Sequence, residues 1–133
     1  MKIFITGGAG YVGSACLRHV AEQGHEVMAY DNLVMGHADA VDGHPLVKGD
    51  IADTDLLTRT LKDFGADAVM HFAAATYVGE SVENPEYHYR NNVGGTLSLL
   101  NAMRAADVSR MLFSSTCATY GMTQSDTMSE ATP

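Results

Sequence analysis

The sequence predicts an α/β fold in which helices cover both faces of one parallel sheet. Three features predict it: short unbroken apolar runs, segments of helical spacing that alternate with them, and a glycine-rich turn between the first run and the first helix. Strands buried on both faces carry unbroken apolar runs, and right-handed crossovers then favour a doubly wound sheet. We expect about five strands, in the order 3-2-1-4-5.

The first half of the chain contains a strand, a helix and two further strands. The first apolar run is β-branched and aromatic and stops at Gly7, after which apolar side chains recur at helical spacing until Gly24. Two more apolar runs follow, the second of them just before the Gly49-Asp50 turn. The predicted elements are strand 2–6, helix 11–23, strand 26–30 and strand 45–48.

The second half continues the alternation of helix and strand. Asp53 or Thr54 can cap a helix that runs through Phe64, because both side chains accept hydrogen bonds from free N–H groups of a first helical turn. Strand 67–72, a long helix from about 87 to 106, and strand 110–114 follow. The tail, residues 121–133, is rich in Thr, Ser and Met without periodicity and is predicted to be a loop.

Size and charge limit the function classes. The chain has 133 residues, of which 46% are hydrophobic, so we expect one compact domain over residues 1–133. Its formal net charge of -8 offers no basic face for a nucleic acid. No apolar run approaches the length of a membrane span, and the N-terminal residues do not resemble a signal peptide.

The cysteines predict neither a disulfide framework nor a metal site. Cys16 and Cys117 lie far apart, and the sequence has no Cys-x-x-Cys pair or Cys/His cluster. Free cysteines are typical of a reducing compartment. We therefore expect a cytoplasmic protein without a bound metal.

The glycine-rich turn predicts a dinucleotide site of the Rossmann type. Gly7, Gly10 and Gly13 fall where a strand turns sharply, where backbone approaches a pyrophosphate, and where a helix packs on a strand. The helix N-terminus would add the positive end of its dipole. Such turns are common in other proteins, so the prediction depends on the strand before and the helix after, which are both present.

Asp31, at the end of the second predicted strand, favours NAD over NADP. A carboxylate there accepts hydrogen bonds from the adenosine ribose hydroxyls and repels a 2'-phosphate, and residues 32–34 supply no arginine to hold that phosphate. The alternative is that Asp31 only caps a turn. Asp50 could face the adenine from the same sheet edge, but Gly-Asp is also a common turn sequence.

Four further segments carry a family resemblance. They are residues 71–74 (HFAA), 78–82 (VGESV), 91–96 (NNVGGT) and 113–116 (FSST). In this order the segments resemble the UDP-glucose 4-epimerases, which are extended short-chain dehydrogenases. The resemblance runs from Lys2 to about Gly121, and related nucleotide-sugar enzymes share much of it.

The resemblance implies an activity and a set of site residues. The activity is oxidation of the sugar C4 hydroxyl by hydride transfer to bound NAD, rotation of the 4-keto sugar, and return of the hydride to its other face. Ser114 would lie near the nicotinamide half, and Thr116 would hydrogen-bond the reacting hydroxyl. The residues implied to line the dinucleotide are Gly7, Gly10, Tyr11, Val12, Gly13, Asp31, Asn32, Asp50, Ile51, Phe72, Ala73, Ala74 and Asn91.

Several of these residues also have a purely structural interpretation. Phe72 is equally suited to a core, Asn91 to a helix, and residues 114–116 to a polar strand end. The carboxyl ends of neighbouring parallel strands nevertheless form the crevice in which such folds bind ligands. His71 lies inside an apolar strand, where a hydrogen-bonded core histidine is the commoner case, and we place it outside catalysis.

The sequence departs from the family pattern in two respects. The family's base is the tyrosine of a Tyr-x-x-x-Lys pair, and none of Lys2, Lys48 and Lys62 stands four residues after a tyrosine. The resemblance implies that this pair and a C-terminal substrate domain lie beyond Pro133, so that the chain alone would lack the base. In addition, Thr76 stands where many relatives have a lysine near the cofactor.

The missing pair leaves alternatives open. One is a UDP-glucose 4-epimerase whose remaining part is supplied elsewhere and whose substrate is a UDP-hexose; another is a non-catalytic NAD-binding module. A sugar dehydratase ranks last, because no acidic residue directly follows Thr116. The 87–106 helix would pair with a second copy in a homodimer, and we expect Leu97, Leu100 and Met103 to be partly exposed without it.

Overall fold

A five-stranded parallel sheet forms the centre of the molecule. The computed structural model describes residues 1–121 and 127–130. The sheet order is β3-β2-β1-β4-β5, which confirms the predicted order. The strands are β1 (Lys2–Thr6), β2 (Glu26–Asp31), β3 (Leu46–Lys48), β4 (Ala68–His71) and β5 (Met111–Phe113).

Helical segments connect the strands. The α-helices are α1 (Tyr11–Glu22), α2 (Thr54–Phe64), α3 (Val78–Glu83), α4 (Pro85–His88) and α5 (Gly95–Ala105). A π-helix, Tyr89–Gly94, joins α4 to α5, and short 3-10 helices occupy Ala38–Val41 and Cys117–Tyr120. Within the described part of the chain, no helix combines the length and apolarity needed to cross a bilayer.

The parallel register brings three strand ends to one level. Thr6, the last residue of β1, stands opposite Tyr30 of β2 and His71 of β4. Since all five strands run the same way, their carboxyl ends share one edge of the sheet. This edge carries the site described below.

The two faces of the sheet are covered by separate apolar clusters. Phe4 points to the side of α2 and α5, where it joins Leu57, Leu61 and Leu99. Ile5 points to the opposite side and joins Leu17 of α1. Side chains alternate between the faces of a strand, so an unbroken apolar run such as β1 supplies both cores.

Helix α2 shows how local sequence sets an element's limits. Of the two predicted caps, Asp53 is the N-cap, and its side chain accepts a hydrogen bond from the Leu56 N–H at 2.9 Å. At the other end Gly65 adopts a left-handed φ of +68°, which a residue without Cβ reaches at little cost. The helix therefore spans the residues that its caps predict.

The prediction of one long α-helix over residues 87–106 is wrong in two details. The helical path begins two residues earlier, at Pro85, and residues 89–94 within it form a π-helix. Leu97 and Leu100 are exposed, at 57% and 44%, whereas Met103 is buried at 4% and packs in the core. Helix α3 and the 3-10 helices were not predicted, and most of the predicted tail loop lies outside the described residues.

Candidate functional site

A cavity of about 460 Å³ opens at the carboxyl edge of the sheet, beside the first turn of α1. It extends from the end of β2, past the glycine turn, to the segment after β4. The predicted cofactor residues that line it are Gly7, Gly10, Tyr11, Val12, Gly13, Asp31, Asn32, Ile51, Phe72, Ala73, Ala74 and Asn91. The structure thus brings together residues that are far apart in the sequence.

Two glycines of the turn are required by the protein's own packing. Gly7 has a φ of +71°, and a Cβ on it would lie 2.6 Å from the backbone nitrogen of Ala73. A Cβ on Gly13 would overlap the carbonyl oxygen of Gly7. These glycines let the end of β1 approach the end of β4 and let α1 pack onto the turn.

Gly10 is different, because the space beside it belongs to the cavity. Among the described residues, a Cβ on Gly10 would meet only the Gly7 carbonyl oxygen, at 3.3 Å. Gly10 is also the N-cap of α1 and offers no side chain to its first N–H groups, and the first turn has no acidic residue. Free N–H groups and the positive end of a helix dipole suit a pyrophosphate.

Asp31 makes the hydrogen bonds of the structural interpretation and leaves acceptor positions for the binding one. It is buried, with 8% exposure, and its two carboxylate oxygens accept hydrogen bonds from the N–H groups of Ala9 at 3.1 Å and Leu33 at 2.8 Å. These bonds tie the glycine turn to the end of β2. A carboxylate accepts about four hydrogen bonds, so two positions remain for hydroxyl groups in the cavity that Asp31 lines.

Asp50 lies beside the cavity rather than in its lining, although Gly49 and Ile51 line it. Its Oδ1 accepts a hydrogen bond from the Ala52 N–H at 2.9 Å, and its Oδ2 accepts one from the Asn32 side-chain amide at 3.3 Å. The first bond is the turn that the Gly-Asp sequence predicts. Contact between Asp50 and an adenine stays a prediction.

The Tyr30 side chain holds the backbone of the Gly49-Asp50 turn in place. It is buried at 1% exposure, and its hydroxyl donates to the carbonyl oxygen of Asp50 at 2.8 Å. Burial, with the nearby negative charges of Asp53 and Asp50, raises the pKa of Tyr30 above its ordinary value. The hydroxyl therefore stays protonated and continues to donate.

A second cavity, of about 680 Å³, adjoins the first along residues 72–77. Ser114 and Thr116 line this second cavity. The Thr116 hydroxyl accepts a hydrogen bond from the Ala118 N–H at 3.2 Å, and a hydroxyl that accepts can still donate its hydrogen to a ligand. The predicted nicotinamide-side residue and the predicted sugar-side residue thus share one space.

His71 is a buried core residue, as the sequence indicates. It is 3% exposed, its Nδ1 lies 2.7 Å from the Thr6 hydroxyl, and its Nε2 lies 3.1 Å from the Thr96 hydroxyl. The Thr96 hydroxyl hydrogen is donated to the Asn92 carbonyl oxygen at 2.6 Å, so Thr96 must accept the Nε2 hydrogen. Nδ1 is then the acceptor for Thr6, and burial lowers the pKa of His71 to about 4.

This pKa predicts an acid-sensitive fold. The unfolded chain binds a proton at His71 near pH 6.5 and the folded chain only near pH 4, so stability is full above 6.5 and falls as the pH drops towards 4. The loss amounts to about 3 kcal/mol. Urea unfolding at pH 7, 6, 5 and 4 should show a fall for the wild-type chain that exceeds the fall for His71→Gln by about this amount. Parallel curves would contradict a neutral, buried His71.

The comparisons with known proteins place the chain in a family. The sequence model of the NAD dependent epimerase/dehydratase family matches residues 3–133. The chain belongs to this family. Its similarity to the UDP-glucose 4-epimerase of Lactobacillus helveticus is 46% identity over 134 residues, covering 100% of this chain and 41% of the relative.

Solved structures of epimerases have the same fold. The UDP-glucose 4-epimerase from Brucella ovis, in complex with NAD, matches with a TM-score of 0.90 at 46% identity, over 97% of this chain and 40% of that one. The enzyme from Stenotrophomonas maltophila, with bound NAD and formylated UDP-arabinopyranose, matches with a TM-score of 0.92 at 34% identity, over 98% of this chain and 41% of that one. This epimerase/dehydratase family member thus spans about two fifths of the length of the relatives it matches.

Some lining residues of this family member were not predicted from its sequence. Met35, Gly36 and Tyr87 line the first cavity, and Tyr77 lines both. A Cβ on Gly36 would lie 2.9 Å from the backbone carbon of Ala9 in the glycine turn, and the His37 N–H donates to the Ala9 carbonyl oxygen at 3.0 Å, so the place of Gly36 is set by a turn far away in the sequence. Single residues in loops give no periodic signal, and only the fold shows where they lie.

Proposed function

We propose that the chain is the NAD-binding part of a UDP-glucose 4-epimerase, which interconverts UDP-glucose and UDP-galactose through a 4-keto sugar. One observation carries the proposal: two adjoining cavities form a path from Asp31, past the α1 N-terminus, to Thr116. Relatives of the same fold are crystallised with NAD, and one of them with NAD and UDP. This activity belongs to galactose metabolism.

The dinucleotide would extend along this path. Asp31 would hold the adenosine ribose, and the N–H groups at the start of α1 would hold the pyrophosphate beside Gly10. The nicotinamide half would then pass residues 72–77 towards Ser114. No arginine occurs at residues 32–34, so the site should select NAD over NADP.

The chemistry is divided between NAD, Thr116 and a base. When bound, NAD would accept the hydride that leaves C4 of the sugar and would later return the same hydride to C4. The Thr116 hydroxyl would hydrogen-bond the reacting oxygen and orient it. No tyrosine in the sequence is followed by a lysine four residues later, so we propose that the base and the substrate domain come from residues outside this chain, and that residues 1–133 form a single NAD-binding domain.

A non-catalytic NAD-binding module is the second candidate. The observation that favours it is the same lack of a Tyr-x-x-x-Lys pair. Both candidates bind NAD, so binding tests what they share and turnover of UDP-galactose separates them. A longer protein that contains this chain and such a pair should epimerise; a complete protein without the pair should bind NAD only.

Calorimetric titration of the 133-residue chain with NAD and NADP tests the shared proposal. We expect NAD to bind at least about tenfold more tightly than NADP. Gly10→Ala places a methyl group in the space assigned to the pyrophosphate and should weaken NAD by at least about tenfold, with little change in stability.

Gly94→Ala is the matched control for this titration. Its Cβ would meet nothing within 4 Å, its φ is -61°, and Gly94 itself, in the π-helix, lines neither cavity. It should bind NAD as the wild-type chain does. Equal binding of NAD by the wild-type and Gly10→Ala chains would argue against this placement of the pyrophosphate, and no binding of either cofactor by the wild-type chain would argue against the function.

We also propose a cytoplasmic homodimer. Tyr89, Val93, Leu97 and Leu100 are exposed at 72%, 53%, 57% and 44% and follow one another at helical spacing. A second copy presenting the same stripe about a two-fold axis would cover it. Sedimentation velocity of the protein prepared for calorimetry measures whether the chain forms this dimer.

A further inference from the structure

Residues 73–77 form a bridging segment that borders both cavities. Ala73, Ala74, Ala75, Thr76 and Tyr77 appear in the lining of each. The segment belongs to no helix or strand, so its backbone polar groups need partners other than a ladder. Whatever fixes this segment therefore fixes the passage between the two cavities.

The side chain of Asn92 supplies two of these partners. Its Oδ1 accepts a hydrogen bond from the Ala75 N–H at 2.8 Å, and its Nδ2 donates to the Ala75 carbonyl oxygen at 2.9 Å. One amide thus satisfies both backbone groups of the central residue of the bridging segment. Such paired bonds fix direction as well as distance, because both ends of a planar amide are held.

Asn92 is itself held by two further hydrogen bonds. The Asn91 side-chain amide donates to the Asn92 Oδ1 at 2.9 Å, and the Thr96 hydroxyl donates to the Asn92 carbonyl oxygen at 2.6 Å. Both asparagines lie in the π-helix, a form that is rare and frequent at functional sites. This turn places Asn91 in the first cavity lining and Asn92 in the second.

The hydrogen bonds continue from Asn92 to the sheet. Thr96 accepts from His71 Nε2 at 3.1 Å, and His71 Nδ1 accepts from the Thr6 hydroxyl at 2.7 Å. Thr6 and His71 are the last residues of β1 and β4. The bridging segment is therefore tied to the ends of β1 and β4 through hydrogen bonds of Asn92, Thr96, His71 and Thr6, and the bond between Thr96 and Asn92 is made to the Asn92 backbone carbonyl.

We propose that Asn92 is a positioning residue for the nicotinamide half of the dinucleotide. It holds the bridging segment through Ala75, at the point where a cofactor anchored on Asp31 and α1 would pass from the first cavity into the second. This inference rests on the proposed NAD site. Asn92 is assigned no contact with the adenosine half, so its removal should affect the two halves of the cofactor unequally.

Binding of NAD and of AMP to Asn92→Ala tests the proposal. AMP reports the adenosine half alone and NAD reports both halves. We expect NAD to bind at least about tenfold more weakly to the variant, and AMP to change by less than about threefold. A general loss of folded protein would reduce both affinities equally, so the ratio identifies positioning.

Asn101→Ala is the matched control, because Asn101 is an exposed asparagine of α5. It should retain wild-type binding of both ligands. If Asn92→Ala does not fold, the isosteric Asn92→Asp replaces it: the carboxylate cannot donate to the Ala75 carbonyl oxygen and should lower NAD affinity in the same selective way. Amide exchange followed by NMR adds a direct readout for Asn92→Ala, since this variant removes the acceptor of the Ala75 N–H, which should then exchange faster.

The outcomes separate this inference from the proposed function. A wild-type chain that binds neither AMP nor NAD overturns both. A wild-type chain that binds both, with variants whose ratio of NAD to AMP affinity is unchanged, overturns the positioning role alone. Unchanged exchange of the Ala75 N–H in Asn92→Ala also overturns it.

Discussion

Gly13→Ala should be among the most destabilising single substitutions in this chain. The added Cβ would overlap the Gly7 carbonyl oxygen and lie 2.8 Å from its carbon, both in the backbone of a tight turn that cannot yield as a side chain would. Helix α1 would have to move away from the turn, and Leu17, which is fully buried, would move with it. Overpacking costs about 1–3 kcal/mol, and a contact with backbone that cannot yield belongs at the upper end of this range, which is a large part of the stability of a small domain.

Urea denaturation measures the effect of Gly13→Ala. The midpoint should fall well below that of the wild-type chain, whereas Gly94→Ala, which adds the same methyl group in open space within a helical segment, should match or exceed the wild type. NAD binding should be lost at temperatures where the fold is lost. A wild-type midpoint for Gly13→Ala would show that the turn does not have this geometry.

Asp31→Ala should remove most of the proposed NAD affinity and the preference over NADP. Each hydrogen bond from a ribose hydroxyl to a carboxylate contributes about 1.5 kcal/mol or more, so two of them correspond to a loss of roughly a hundredfold. The variant also frees the N–H groups of Ala9 and Leu33, which costs stability at the glycine turn. NADP, which the carboxylate repels in the wild type, should lose less than NAD.

The ratio of the two affinities is the decisive measurement for Asp31→Ala, because partial unfolding lowers both equally. Asp67→Ala is a suitable control. The Asp67 carboxylate also accepts a hydrogen bond from a backbone N–H, that of Lys2 at 2.7 Å, but at the start of the sheet, away from both cavities. It should keep the wild-type ratio. An unchanged ratio in Asp31→Ala would mean that Asp31 only caps its turn.

The strands and most helix limits could be predicted because they depend on neighbouring residues. The run from Lys2 to Thr6 forms β1 with the predicted bounds, since it is apolar on both faces and stops at a glycine with a left-handed φ. Helix α2 ends where Gly65 allows it to end. Propensities and caps act over a few residues and leave their mark in the sequence.

Prediction failed where the outcome depends on which way a helix faces. Leu97 and Met103 were both expected to be partly exposed, but six residues at about 100° each place them about 120° apart around α5. Met103 therefore reaches the core with Leu99, while Leu97 remains outside. The apolar character of the two residues does not distinguish them; the position of the sheet does.

The sequence by itself determined the order of elements, the glycine turn and the placement of Asp31 at a strand end. Only the tertiary structure decided that Asp50 stands outside the cavity lining, that residues 89–94 form a π-helix, and that Asn92 reaches Ala75. The reason is physical. A turn or a cap is fixed by atoms a few residues apart, whereas the Asn92 side chain bonds Ala75, 17 residues away, and does so only when the π-helix lies against the segment that follows β4.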